Sequence, residues 1–176
     1  TLNQNGALDQ TTAEQISDSL AERIKNSPQR KIFSISDIKI INSDSLQSLI
    51  NYSNALSSLY KKYQVNYTVP DVFQEFIIDE NSVDPSVLSK LDPIIANTKK
   101  IIEGMAKMSA PKSISTLHLD VINTLEGLIE NISDIRLYEG DAIVALSGIS
   151  KYGENASKLD LYLQNLEKAI NQKLNN

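Results

Sequence analysis

The sequence has 176 residues, 41% of them hydrophobic and 22% charged, which is the balance of a folded globular domain. A net charge of -5 with no cysteine argues against a basic nucleic-acid-binding face. It also excludes disulfides, thiolate metal sites and a cysteine nucleophile. Only 6 glycines and 5 prolines leave little punctuation for a many-stranded sheet, so helix is the expected state. No window approaches the roughly 20 apolar residues that cross a bilayer.

Residues 1–9 read as a linker or a disordered end. Thr11-Thr12-Ala13-Glu14 has the form of a capping box, and Ala13, Ile16, Leu20 and Ile24 follow as a narrow apolar stripe before Pro28. The Ile-rich segment Lys31 to Ile41 looks like a strand in isolation. Its expected state is an extended segment along a bundle, with a small pairing to Val65–Val69 as the alternative.

A second helix is expected to open at Asp44, with Gln47 in the capping-box position, and to run to about Tyr63. At about 100° per residue, Leu46, Leu49, Ile50, Leu56, Leu59, Tyr60 and Tyr63 share a face. Ser53 falls inside that face, where a small residue admits a neighbouring helix. A short helix follows Pro70 over Asp71–Ile78, carrying Val72, Phe73, Phe76 and Ile77. Asp84-Pro85 is an N-cap with proline at the first helical position. Asp92-Pro93 repeats that signal, so a kink or a restart is expected there.

Pro111 marks a turn, and a further helix from Ser113 carries Ile114, Leu117, Val121, Leu125, Leu128, Ile132 and Ile135 on one side. After Glu139-Gly140-Asp141 the apolar pattern becomes strongly periodic. Ala142, Ile149, Ala156, Leu163 and Ile170 recur every seven residues, each but the last followed three places on by Ala145, Tyr152, Leu159 or Leu166; Lys173 breaks the series. The period runs through Gly153 unbroken, predicting one helix of about 30 residues, antiparallel to the helix before it. The fold expected is therefore all-α: one domain over 1–176, an antiparallel helical bundle of four to five main helices. A long heptad-patterned C-terminal helix, one short helix and an extended segment complete it.

Few residues offer chemistry. His118, the one histidine, lies on the apolar arc of its helix between Ile114 and Ile122. As a functional group it would be a buried acid/base or a metal ligand; the plainer reading is a core-edge histidine with one ring nitrogen bonded to a neighbouring helix. Glu126, Glu130 and Asp134 are spaced i, i+4, i+8. A di-metal carboxylate site would also need inward Glu-x-x-His motifs, which are lacking, so a solvated acidic stripe is expected ahead of a weak cation site. Tyr52, Tyr60, Tyr63 and Tyr67 cluster on or beside one helix face, suiting either a core edge or a protein interface. Four Asn-x-Ser/Thr triplets, at Asn51, Asn66, Asn131 and Asn155, are within chance for a chain this rich in Asn and Ser. No phosphate loop, nucleophile elbow or zinc helix occurs. The residues thus suggest no enzyme, no catalytic or metal site and no cofactor.

Three stretches carry a resemblance: Phe33-Ser-Ile-Ser-Asp-Ile-Lys-Ile-Ile-Asn-Ser-Asp-Ser with Leu49-Ile-Asn-Tyr-Ser-Asn-Ala-Leu, then Leu91-Asp-Pro-Ile-Ile, then Ala110-Pro-Lys-Ser-Ile-Ser-Thr-Leu-His-Leu-Asp. They resemble an uncharacterised family of membrane-anchored helical proteins from small-genome candidate-phylum bacteria, over most of residues 10–174. Asp141-Ala142 stands where that family's pattern would have Asp-Pro. The resemblance implies an extracytoplasmic domain tethered by an anchor upstream of Thr1, and no reaction. The expected function is contact with protein partners or with itself, in a cell-envelope, surface-appendage or secretion assembly. The alternative is a bundle that binds a small ligand or a divalent cation.

Overall fold

The computed structural model describes residues 30–174. The helix expected over Thr11–Pro28 and the linker at 1–9 lie outside the described residues. The described chain is mostly helical, with five α-helices, short 3-10 turns and two small strand pairings. Contacts group Lys31–Asn176 into one unit, and the account below concerns that unit.

The Ile-rich segment is extended but not unpaired. After a 3-10 turn at Ile35–Asp37, β1 (Lys39–Ile41) forms a parallel pair with Ser109–Pro111, in register Lys39↔Ser109, Ile40↔Ala110 and Ile41↔Pro111. Its partner is therefore not Val65–Val69, because Val69 is the first residue of a helix. Parallel strands need a long crossover, and here three whole α-helices lie between the two strands. Phe33 is tied down just before: its N–H donates to Asn123 Oδ1 at 2.8 Å and its carbonyl accepts from Asn123 Nδ2 at 3.0 Å.

Helix α1 (Leu46–Tyr63) starts one residue later than expected, because Ser45 rather than Asp44 supplies the cap, accepting the Ser48 N–H at 3.2 Å. Asp44 instead accepts the Ser113 N–H at 2.9 Å. The buried face is also rotated. Leu49 and Tyr52 are fully buried, whereas Leu46 and Ile50 are exposed. Helix α2 (Val69–Phe76) begins at a capping box in which Asp71 accepts the Thr68 N–H at 2.6 Å. It ends before Ile77, and β2 (Ile77–Asp79) pairs antiparallel with β3 (Ser82–Val83). The expected helical burial of Ile77 is thus replaced by an exposed strand residue.

Asp84 caps a 3-10 segment, Pro85–Lys90, through the Ser86 N–H at 2.9 Å, and α3 (Leu91–Lys107) then restarts as an α-helix. The second proline signal does mark a restart, but Asp92 is not its cap. Asp92 instead takes a two-pronged contact from Arg136, at 2.7 and 3.1 Å. β4 (Ser109–Pro111) leads into α4 (Ser115–Ile135). After the turn, α5 (Ala142–Leu174) runs as one helix of 33 residues, straight through Gly153.

The most extensive helix contact is α4 against α5. It is close enough that a Cβ on Gly148 would stand 2.8 Å from the Asn131 carbonyl oxygen. Gly104 plays the matching part between α3 and α1, where a Cβ would meet the Leu59 side chain at 2.5 Å. Two hydrophobic clusters result. The larger is built from residues such as Leu49, Tyr52, Met105, Val121, Ile122 and Leu166; the smaller gathers Val72, Phe76, Leu88, Leu91, Ile132 and Ile135.

Candidate functional site

His118 is fully buried in the larger cluster. Its Nε2 faces the Met105 carbonyl at 3.1 Å, and a carbonyl can only accept, so that nitrogen carries the proton. Nδ1 is then the acceptor, and the Tyr52 hydroxyl donates to it at 2.8 Å. Burial holds the imidazole neutral, pulling its pKa down to about 4 against the opposing carbonyl contact. The same burial pushes the Tyr52 phenol well above its ordinary range. Both ring nitrogens are occupied by structural bonds, so the side chain has no open valence for a substrate or a metal. Sequence reasoning expected a core-edge histidine with one bonded nitrogen; the structure gives a core histidine with two.

The carboxylate stripe divides. Glu130 is exposed, while Glu126 and Asp134 are half-buried, Asp134 beside Gly148 of α5. Burial first, and then the Glu130 charge, raise the Asp134 pKa, with Lys151 opposing. Among the described residues no group of three His, Cys, Asp or Glu side chains could hold a metal ion.

The four tyrosines occupy four different settings. Tyr52 is 2% exposed and cannot belong to a surface, because α1 is turned so that its ring enters the core against His118. The ring of Tyr63 lies under the Lys62 and Lys100 ammonium groups, at 5.1 and 5.6 Å. The Tyr67 hydroxyl donates to the Lys90 carbonyl at 3.0 Å. Tyr60 lines an open groove of about 450 Å³ between α1 and α5. Ser53, Leu56 and Ser57 stand on one side of it, and Leu163, Leu166 and Ile170 on the other. The Tyr60 hydroxyl is buried with no hydrogen-bond partner, and burial pushes its pKa up to about 12. Ser53 therefore borders a groove rather than a helix–helix contact.

A second surface feature was not singled out from the sequence. Ile77 and Ile78 on the β2–β3 hairpin are 59% and 63% exposed, and Leu137 in the α4–α5 turn is 53% exposed. On the first turns of α5, Ile143 and Leu146 are 77% and 60% exposed. Packing joins these segments at one end of the unit: the Phe76 and Tyr138 rings meet edge-on at 5.0 Å, one residue from Ile77 and Leu137 respectively. The Asp141 N–H donates to the Leu137 carbonyl at 2.7 Å, setting the start of α5 against the same turn. A usable signal did exist, since Ile143 and Leu146 are apolar residues off the seven-residue seam of Ala142 and Ala145.

No protein-family model, curated protein or solved structure matches the chain.

Proposed function

We propose that this domain is not an enzyme and works through contacts with other proteins, as part of a cell-envelope, surface-appendage or secretion assembly. The observation that carries the reading is the exposed apolar end made by Ile77, Ile78, Leu137, Ile143 and Leu146. Exposed apolar side chains grouped on neighbouring segments commonly serve as a contact site. The extracytoplasmic setting, tethered through a segment outside the sequence in hand, is supported by the family resemblance alone.

The fold that goes with this reading is an antiparallel helical bundle with α4 and α5 as its spine. In its support, Asn155 bonds Asn131 at 2.7 Å while the earlier Gly148 abuts Asn131 and also the later residues Asp134 and Ile135. Along the heptad series, Ala145, Leu166 and Ile170 are buried and Ile149, Tyr152, Ala156, Leu159 and Leu163 half-buried, whereas Ala142 is exposed. A rigid two-helix spine would present the apolar end in a fixed geometry.

Site-specific photo-crosslinking tests the function. A photoreactive side chain at Ile143 is expected to give a discrete protein adduct in the cells that make this chain. The same probe at the exposed Glu154, further along α5, should give none. Equal labelling at both positions, or none at either, overturns the reading.

A second reading is favoured by the groove at Tyr60. Its volume lies within the range of small-ligand sites, and its mixed wall, with Leu56, Leu163, Leu166 and Ile170 beside Ser53, Ser57, Glu167 and Asn171, suits a small amphipathic molecule. Thermal unfolding in the presence of medium-chain fatty acids tests it: a raised midpoint that Ser57→Trp, which fills the groove from an exposed position, reduces supports the reading, and an unchanged midpoint overturns it.

A further inference from the structure

The exposed apolar end has an electrostatic surround that narrows what it would bind. Residues 75–84, which include the hairpin, carry four acidic side chains (Glu75, Asp79, Glu80 and Asp84) and no basic one. The turn and its flanks, 134–141, add Asp134, Glu139 and Asp141 against Arg136 alone. Arg136 is already bound to Asp92, and Lys90, the first basic residue after the hairpin in the sequence, pairs with Glu75. Hydrogen bonds from Ser82 and Asn81 hold the Asp79 pKa below the usual carboxylate range, and Ser86 does the same for Asp84, so both are ionised at neutral pH. The chain's whole net charge is only -5. The acidic excess of these two stretches therefore flanks the exposed Ile77, Ile78 and Leu137, whereas the exposed Ile32, Ile35, Leu46, Ile50 and Leu161 lie on other segments.

We propose that this end docks a basic, amphipathic helical segment of a partner protein, its apolar stripe on Ile143, Leu146, Leu137 and Ile77 and its Lys or Arg residues against Asp79, Glu80 and Glu139. The proposal rests on the protein-contact reading above and assigns it a partner chemistry. Charge complementarity decides among the occupants, since apolar contact supplies affinity while the surrounding charges select the partner and steer its approach. A second copy joined through the same face would set acidic rim against acidic rim, and like charges brought together across an interface are costly. An anionic lipid surface would be repelled in the same way.

The test uses a labelled synthetic helix of Leu and Lys, with Leu at i, i+3, i+4 and i+7, and an otherwise identical Leu–Glu helix, both titrated against the full chain by fluorescence anisotropy. The expected result is saturable binding of the Lys helix that added salt weakens, at least about tenfold poorer binding of the Glu helix, and a similar loss in Ile143→Asp/Leu146→Asp. Because both residues are exposed, that variant should keep the wild-type circular dichroism and melting midpoint. Glu80→Lys/Glu139→Lys, which leaves the apolar surface intact, should weaken the Lys helix and strengthen the Glu helix. Equal binding of the two helices, or Lys-helix binding that neither variant changes, overturns the proposal. So does wild-type self-association in sedimentation that Ile143→Asp/Leu146→Asp abolishes, or flotation with phosphatidylglycerol vesicles that the same change abolishes. An Ile143 crosslink to a protein without preference for the Lys helix defeats the partner chemistry and leaves the protein-contact reading standing. Absence of the crosslink defeats that reading itself.

Discussion

The Tyr52 hydroxyl donates to His118 Nδ1 at 2.8 Å across the buried interface between α1 and α4. Through Nε2 the same imidazole reaches the Met105 carbonyl at the end of α3, so one side chain joins three helices. The arrangement works only while the ring is neutral, because a protonated Nδ1 would have to donate and the Tyr52 O–H already points at it.

His118 therefore makes stability depend on pH. Its pKa falls from 6.5 to about 4 on folding, so between those values the unfolded chain binds the proton more tightly. The stabilisation is fully present above pH 6.5 and is lost progressively as pH falls towards about 4. Urea unfolding should show a loss of about 2 kcal/mol between about pH 7 and pH 5. His118→Asn, which lacks a titrating group, should lose much less over that interval. Parallel pH profiles for the two proteins would refute the assignment.

Removing the Tyr52 hydroxyl isolates a buried acceptor. Tyr52→Phe keeps the ring and its edge-on contact with His118 but leaves Nδ1 without a donor. The expected cost is about 1–3 kcal/mol in denaturant unfolding. A neutral result would mean that the bond contributes nothing net.

Gly148 and Gly153 share a helix and should respond in opposite directions. At Gly153 nothing lies within 4 Å of an added Cβ, so Gly153→Ala should stabilise by up to about 1 kcal/mol. At Gly148 a Cβ would lie 2.8 Å from the Asn131 carbonyl oxygen and 2.9 Å from Asp134 Cβ. Backbone and a Cβ cannot swing aside, so Gly148→Ala should destabilise by about 1–3 kcal/mol despite its better helix propensity. Thermal melts of both variants check the pair; a change of the same sign in both would contradict the packing.

Tyr60→Phe should be stabilising in the absence of any groove ligand. The hydroxyl is desolvated and makes no hydrogen bond, so its removal relieves a cost and gives up nothing. A gain of roughly 1 kcal/mol in chemical unfolding is expected. A loss of similar size would show that the hydroxyl has a partner in solution.

Local chemistry was legible where it acts within a few residues. The proline signal at Asp84-Pro85, the restart near Pro93 and the uninterrupted helix through Gly153 all follow from caps, propensity and periodicity. The start of α1 was missed by one residue because Ser45 competes with Asp44 as cap, and the backbone N–H of distant Ser113 engages Asp44. The separate settings of the four tyrosines were not legible for a related reason. Periodicity places Tyr52 and Tyr60 near one another, but the exact rotation of α1 decides which ring enters the core and which borders a groove.

By itself, then, the sequence determined a cysteine-free, mostly helical chain whose longest element is its last, because these properties depend on composition and on contacts a few residues apart. Only the tertiary structure decided that Lys39–Ile41 pairs with Ser109–Pro111, that both nitrogens of His118 are occupied, and that Ile77 and Leu137 share an exposed end with Ile143 and Leu146. Each of these depends on which residues distant in the chain come together. No local pattern of apolar and polar positions encodes that choice.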